Sequence, residues 1–194
     1  MNFESSTYNI AEVCFFSKAQ EEWGCFGNMT GKFAFRLTED TLIPSTENLY
    51  QAMRFTEYPD IQREIIAQRS GYAAKLVSKP YRNTYTRADF EEHKLEIMRW
   101  CLQLKLANHK AFGDALLKTD DKAIVEKSHK DAWWGTLLRG DTLMGINILG
   151  QLLMELRDQY RQELAECSSG YKTVTPPNIP DFNYFEVAAP VIRK

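Results

Sequence analysis

The chain has 194 residues, 44% of them apolar, and a formal charge of −2 from 24 Lys and Arg against 26 Asp and Glu. That length suits one domain with a full core, at roughly 100–200 residues per domain, and the charge excludes a globally basic nucleic-acid binder, so contact with DNA or RNA needs a local patch. With no apolar run of the roughly 20 residues that span a bilayer and no charged-then-apolar leader, a cytoplasmic protein with no membrane contact is expected.

The four cysteines, Cys14, Cys25, Cys101 and Cys167, form no CxxC pair, and His93, His109 and His129 are scattered. Neither a disulfide framework nor a metal mechanism is expected from such spacing, and no cofactor is implied.

Residues 1–43 are β-prone, with short runs at Glu12 to Phe16 and Phe33 to Leu37. Between them Trp23-Gly24-Cys25-Phe26-Gly27-Asn28-Met29 reads as a loop, either a ligand-holding one or an ordinary hairpin connection. Pro44 to Phe55 predicts a helix capped by Ser45 or Thr46, with Leu49, Ala52 and Met53 as its apolar stripe. Glu47, Gln51 and Arg54 fall along one polar line on the other side, where a first-turn acid also complements the helix dipole. Pro59 starts a second helix through Ser70, and Gly71 to Lys79 adds a short third.

Lys75 to Arg87 interleaves Lys75, Lys79, Arg82 and Arg87 with Tyr81 and Tyr85. It is either a solvated basic loop or a seat for a phosphate backbone and an unstacked base. Thr86 or Asp89 begins a long helix to about Asn108, in which Lys94, Lys105 and Asn108 sit within the apolar arc. Lys94 can snorkel. Lys105, flanked by Leu102, Leu104 and Leu106, has either a structural ion partner or a site role, since burying an unpaired ammonium costs several kcal/mol.

Lys110 to Lys118 reads as another helix and Ala123 to Glu126 as extended. Asp131-Ala-Trp133-Trp134-Gly135 provides either a stacking wall or core filler. A last helix is expected from Thr142 to Glu166, apolar nearly all round at first and therefore buried. Within it Gly145 and Gly150 suggest close approach by a backbone or ligand, and Asn147 needs partners for its amide. The tail beyond Cys167, with Tyr171, Phe182, Tyr184 and Phe185, has no helical period; its aromatics suggest that it packs back.

Taken together these segments predict a mainly α, α+β protein: one compact helical domain over residues 1–166 with a short β-containing N-terminal part, and a tail over 167–194. From Phe15 to Arg157 the chain resembles the NADAR family, the YbiA-like proteins, and within it the branch found beside DarT-type DNA ADP-ribosyltransferase toxins. The resemblance rests on Phe16-Ser17 with Trp23-Gly24 and Asn28; Ser45-Thr-Glu47-Asn48-Leu-Tyr-Gln51-Ala-Met-Arg54-Phe55; Ser78-Lys79-Pro80-Tyr81-Arg82; and Ile97 to Leu102. It continues through Lys105-Leu-Ala-Asn108; Ile124-Val-Glu126; Asp131-Ala-Trp-Trp134-Gly135; and Gly145-Ile-Asn147-Ile-Leu149-Gly150 running into Leu152 to Arg157.

The resemblance implies hydrolysis of N-glycosidic bonds: in the toxin-associated branch, removal of ADP-ribose from the guanine amino group in DNA, single-stranded DNA being the expected partner and a DarT-type toxin the functional counterpart. In YbiA-like relatives it implies an N-glycosidase step on phosphoribosylamino riboflavin intermediates. A non-catalytic ADP-ribose or nucleotide reader is the alternative from another class. By position Glu47, Asp131 and Lys105 match the family's catalytic groups. Many relatives have His where Asn48 stands and Trp where Phe90 stands.

Cleaving ribose from nitrogen builds positive charge at the anomeric carbon, which suits carboxylates that stabilise an oxocarbenium-like state and manage protons. Glu47 is expected as the principal acid/base or electrostatic group, Asp131 as its assistant, and Lys105 as either an electrostatic partner or an imine-forming amine. Phe16, Trp23 and Trp134, with Ser17, Gly24, Asn48, Phe90 and Gly135, are expected around the sugar or base. Asn28, Gln51, Arg54, Arg82, Gly145 and Asn147 are expected to place hydroxyls or the pyrophosphate.

Overall fold

The computed structural model describes residues 3–166 and 173–193; Cys167 and Tyr171 lie outside them. In chain order the elements are β1 (Ser6–Asn9), β2 (Cys14–Phe16), β3 (Phe35–Thr38), β4 (Thr41–Ile43), α1 (Thr46–Ala52), α2 (Pro59–Ile66), α3 (Gly71–Ser78), α4 (Arg82–Tyr85) and α5 (Phe90–Asn108). They continue with α6 (Lys110–Lys118), β5 (Ile124–Ser128), β6 (Thr136–Arg139), β7 (Thr142–Gly145), α7 (Ile148–Glu166), β8 (Thr173–Val174), β9 (Asn183–Tyr184), β10 (Val187–Ala188) and β11 (Ile192–Arg193). No helix among the described residues is long and apolar enough to cross a membrane. The chain divides into two units, residues 3–27 with 110–166 and residues 28–109 with 173–193.

The first unit is built on a mixed sheet ordered β1-β7-β6-β5-β2, in which β2 and β6 run parallel to β5 and the other pairs are antiparallel. Its centre is apolar: Ile124 and Val125 are fully buried. Leu149, Leu152, Leu153 and Leu156 recur at helical spacing on α7, which packs on β5. Gly150 permits that approach, since a Cβ there would lie 2.1 Å from the Ile124 carbonyl oxygen.

This sheet corrects the mainly helical reading. Three of its five strands follow residue 120, so the β structure is not confined to the N-terminal part and the fold is mixed α+β. The expected helix from Thr142 is a strand as far as Gly145, and α7 starts only at Ile148. Short apolar runs do not distinguish the two states. What decides is backbone geometry at either end: the two-residue turn at Gly140 and Asp141, with Gly140 at φ +59, closes the β6–β7 hairpin, and Asn147 at φ +59 breaks the chain direction before α7. The Trp23 stretch is likewise no hairpin turn, because β2 pairs with β5; it contains a 3-10 turn at Gly24–Phe26.

The second unit surrounds α1. Pro44 and the Ser45 cap start it as expected, but every residue from Thr46 to Ala52 is buried, because α2, α3 and α5 all pack on it. Gly71 opens α3 where a Cβ would sit 2.7 Å from Glu47 Cβ and 2.8 Å from Met29 Cα, so only glycine lets α3 begin against α1. The Lys75 to Arg87 stretch is helical, not a loop, running through the end of α3, a 3-10 turn at Lys79–Tyr81 and α4. Arg87 is a structural clamp, bidentate to Asp89 at 2.5 and 3.0 Å and donating to Thr56 Oγ1 and the Pro180 carbonyl. The tail buries Val174, Ile179, Phe182 and Tyr184. Phe182 meets Trp100 of α5 edge-on at 5.2 Å, and Gln62 of α2 bonds the backbone of Asn183 and Phe185.

Candidate active site

The polar line on α1 is where the second unit concentrates its chemistry. Ser45 Oγ accepts from the Asn48 N–H and donates to Asn48 Oδ1, while Asn48 Nδ2 donates to the carbonyls of Ile65 and Gln68. Asn48 is therefore fully engaged in tying α1 to the end of α2. One residue earlier, the Glu47 N–H donates to the Asn28 carbonyl at 3.0 Å and its side chain enters the packed space at 7% exposure. Gln51, one turn on, donates from Nε2 to Glu47 Oε1 at 2.8 Å.

Behind Gln51 stand Ser78 and Arg82. Gln51 Oε1 accepts from Ser78 Oγ at 3.1 Å and from Arg82 Nη2 at 3.2 Å. Arg82 also donates from Nε and Nη2 to Ser78 Oγ, and from Nη2 to the Lys75 carbonyl. Arg54 lays its guanidinium over the Phe90 ring at 3.8 Å, which gives buried Phe90 a cation to hold. Burial pushes the Glu47 carboxyl above the ordinary range, against the opposing pull of the Lys75 charge, the Gln51 hydrogen bond, and the Arg82 and Arg54 charges.

α5 supplies the facing side. Asn28 Nδ2 reaches Met98 Sδ at 3.2 Å, leaving a buried Asn28 Oδ1 with no hydrogen-bond partner. Burial and then the nearby Glu47 charge hold the Cys101 thiol well above its usual value. Lys105 follows Cys101 by four residues, hence on the same helix face. It is wholly buried, with Nζ 4.8 Å from the Phe33 ring centroid. Lys94, by contrast, reaches Glu91 at the exposed rim.

The remaining expected site residues belong to the first unit. Phe16 meets Phe26 edge-on at 5.8 Å, and Trp23 stacks on Phe26 at 5.8 Å with Lys118 Nζ 5.4 Å from the Trp23 ring. The Ser17 N–H donates to Glu21 Oε2. Gly24 is required by its loop, since a Cβ would fall 2.3 Å from the Lys18 carbonyl oxygen. Asp131 Oδ1 accepts the N–H groups of Trp133 and Trp134 at 3.0 and 2.9 Å, and those two rings lie at 4.9 Å and 85°.

Backbone proximity accounts for both neighbouring glycines: a Cβ on Gly145 would sit 2.5 Å from the Gly135 carbonyl oxygen, and one on Gly135 would sit 2.9 Å from that of Glu126. The Asn147 amide accepts from the Glu126 N–H and donates to the Ile124 carbonyl. It serves the fold as a latch between β5 and α7.

Sequence reasoning passed over Ser78 and Gly71 as site residues and raised Lys75 only as part of the basic stretch to Arg87. For Ser78 the signal was present, an i, i+4 spacing to Arg82 within a matching motif; the role of Gly71 depends on a helix crossing that no local pattern announces.

The family model for the NADAR domain matches residues 14–161. The Escherichia coli protein named N-glycosidase YbiA is 31% identical over 150 residues, 74% of this chain and 86% of that protein. A Nostoc punctiforme N-glycosidase is 29% identical over 152 residues, 78% of this chain and 94% of its own. A riboflavin biosynthesis protein of Vibrio vulnificus is 31% identical over 122 residues, 63% of this chain but only 32% of that protein. The solved NMR structure of E. coli YbiA superposes with a TM-score of 0.67 at 28% identity, covering 80% of this chain and 89% of the other.

Proposed function

The chain belongs to the NADAR family, and on that premise we propose that it is an N-glycosidase that uses Glu47 to cleave a phosphorylated ribosyl group from an amine, the guanine amino group of DNA being the amine and ADP-ribose the group removed. The observation that carries the proposal is a nearly dry carboxyl held against a fixed amide and within reach of three positive charges, Lys75, Arg82 and Arg54. A carboxyl raised by burial keeps its proton closer to neutral pH, as a general acid must. Glu47 gives that proton to the departing nitrogen as the C–N bond breaks. Water then adds its oxygen to the anomeric carbon and its proton restores the acid. Lys75 and Arg54 suit the phosphates, and Lys105 on α5 is a further cation for them. A DarT-type toxin would be the source of such an adduct.

Support for the DNA substrate comes from α3. Tyr72, Lys75, Leu76 and Lys79 fall at i, i+3, i+4 and i+7, all exposed, and one of them, Lys75, also acts on Glu47. Cations beside an open aromatic ring suit a strand backbone and an unstacked base. The second reading is a phosphoribosylamine of riboflavin synthesis, favoured by the name of the Vibrio relative. The test is one chromatographic assay run on ADP-ribosylated guanine in a short DNA strand, on ADP-ribosylated thymine and on the small phosphoribosylamine. Tyr72→Ala combined with Lys79→Glu is expected to lower turnover of dilute DNA substrate by about tenfold or more while sparing the small substrate. Equal turnover of DNA by this variant selects the second reading.

Asp131 we assign to assistance on the strength of the family resemblance, beside the fixing of the Trp133–Trp134 turn by its Oδ1. Asp131→Asn keeps the acceptor and is expected to leave thermal stability unchanged while lowering turnover. Asp131→Ala frees two N–H groups and is expected to cost about 1–3 kcal/mol as well. Full activity in Asp131→Asn reduces the residue to its loop-fixing role.

A further inference from the structure

We infer that Gln51 is a positioning residue: held in one orientation by Arg82, it keeps an N–H donor on Glu47 Oε1 and so confines the acid's proton to Oε2. The inference rests on the reading of Glu47 as the acid, and moves Gln51 and Arg82 from substrate contact to control of that acid.

The argument turns on donor and acceptor inventory. Arginine has only donors and stays charged, so whichever end of the Gln51 amide faces Arg82 Nη2 must be the oxygen. That contact is 3.2 Å, and Ser78 Oγ lies 3.1 Å from the same oxygen. Ser78 does not reverse the polarity: its hydroxyl already accepts from Arg82 Nε and Nη2, and its one hydrogen is shared between the Lys75 carbonyl at 2.9 Å and the Gln51 oxygen. With the oxygen committed to Arg82, the amide nitrogen is left for Glu47, 2.8 Å away at Oε1.

A carboxyl oxygen that receives an N–H accepts better as the carbonyl than as the hydroxyl oxygen, so the acid's own hydrogen is favoured on the other oxygen. When Glu47 is protonated the hydrogen sits on Oε2, and when it is ionised the Gln51 bond steadies the negative charge. The relay from Arg82 through Gln51 thus sets which oxygen delivers the proton. It also moderates a carboxyl that burial alone would push further up.

The test follows the Glu47 carboxyl carbon by NMR titration without substrate, the resonance being assigned by its loss in Glu47→Gln. In Gln51→Leu the midpoint is expected to rise by about one pH unit, the size of a lost hydrogen bond to the charged form. In Gln51→Glu, which places a carboxylate between Arg82 and Glu47, it is expected to rise further. Arg82→Lys keeps the charge but loses the two-nitrogen grip, and is expected to move the midpoint in the same direction. An unmoved midpoint in Gln51→Leu overturns the relay, as does a fall.

Turnover supplies the second readout. Gln51→Leu is expected to lower kcat by about tenfold or more with KM nearly unchanged, and to move the Glu47 limb of the pH profile upward with the NMR midpoint. A rise in KM alone, with the limb in place, makes Gln51 a substrate contact and overturns the inference. A shifted NMR midpoint in a chain that hydrolyses no ribosylamine preserves the relay and removes the N-glycosidase reading, so the two failures are distinct.

Discussion

Glu47→Gln is expected to abolish release of ADP-ribose from modified guanine, with kcat lowered by about 10²–10⁴-fold and substrate binding retained. The substitution is nearly isosteric, and the amide oxygen at position 47 can still accept from Gln51 Nε2, so the loss is chemical and not structural. It has a second consequence, in stability. The folded-state value of Glu47 lies above the ordinary carboxylate value of 4.5, so over the window between them the folded chain holds a proton that the unfolded chain has released. Stability contributed by this group is therefore full below that window and is lost as pH rises through it, staying low above. Glutamine cannot ionise and removes that slope. Urea unfolding of both proteins at pH 5 and pH 8 is expected to show the variant gaining on the native chain at pH 8 more than at pH 5. A saturable binder of ADP-ribose that never releases product, native or variant, would instead be a reader module. Unchanged turnover in a folded Glu47→Gln protein removes Glu47 from the chemistry.

The same side chain shows how far the sequence could be read. Pro44 and Ser45 announced the start of α1, and the spacing of Glu47, Gln51 and Arg54 placed them on one line, because caps and the 3.6-residue period are local properties. That Glu47 and Gln51 are buried was not legible, since the burial comes from α2, α3 and α5 packing on a seven-residue helix. The α6 bounds and the β5 strand were visible for the same local reason as the cap. The β6–β7 hairpin was not: Leu143, Met144, Ile146, Ile148 and Leu149 suit either state, and a positive φ at Asn147 leaves no mark in composition. Lys105 was flagged correctly as a cation in apolar company. Its place over the Phe33 ring was not legible, because residues 33 and 105 are brought together only by the fold.

Asn147→Ala is expected to destabilise the chain by about 3–5 kcal/mol, read as a drop in the urea midpoint. Asn147 is completely buried, and its side chain is the partner of two backbone groups of β5, the Glu126 N–H at 3.0 Å and the Ile124 carbonyl at 2.9 Å. Alanine orphans the amide's contacts on both sides at once, at a fully buried position. It also retains a Cβ at φ +59, a region that asparagine tolerates better than alanine does. Asn147→Gly separates the two causes, relieving the backbone strain while losing both hydrogen bonds, and is expected to recover about 1 kcal/mol of the loss. Asn147→Asp keeps the acceptor for the Glu126 N–H but turns the other oxygen toward the Ile124 carbonyl, so acceptor faces acceptor, and it is expected to be no better than alanine. A latch between β5 and α7 predicts this order. An amide reserved for substrate predicts the opposite pattern, an unmoved urea midpoint in all three variants with turnover lost, and that result would return Asn147 to the ligand-binding set.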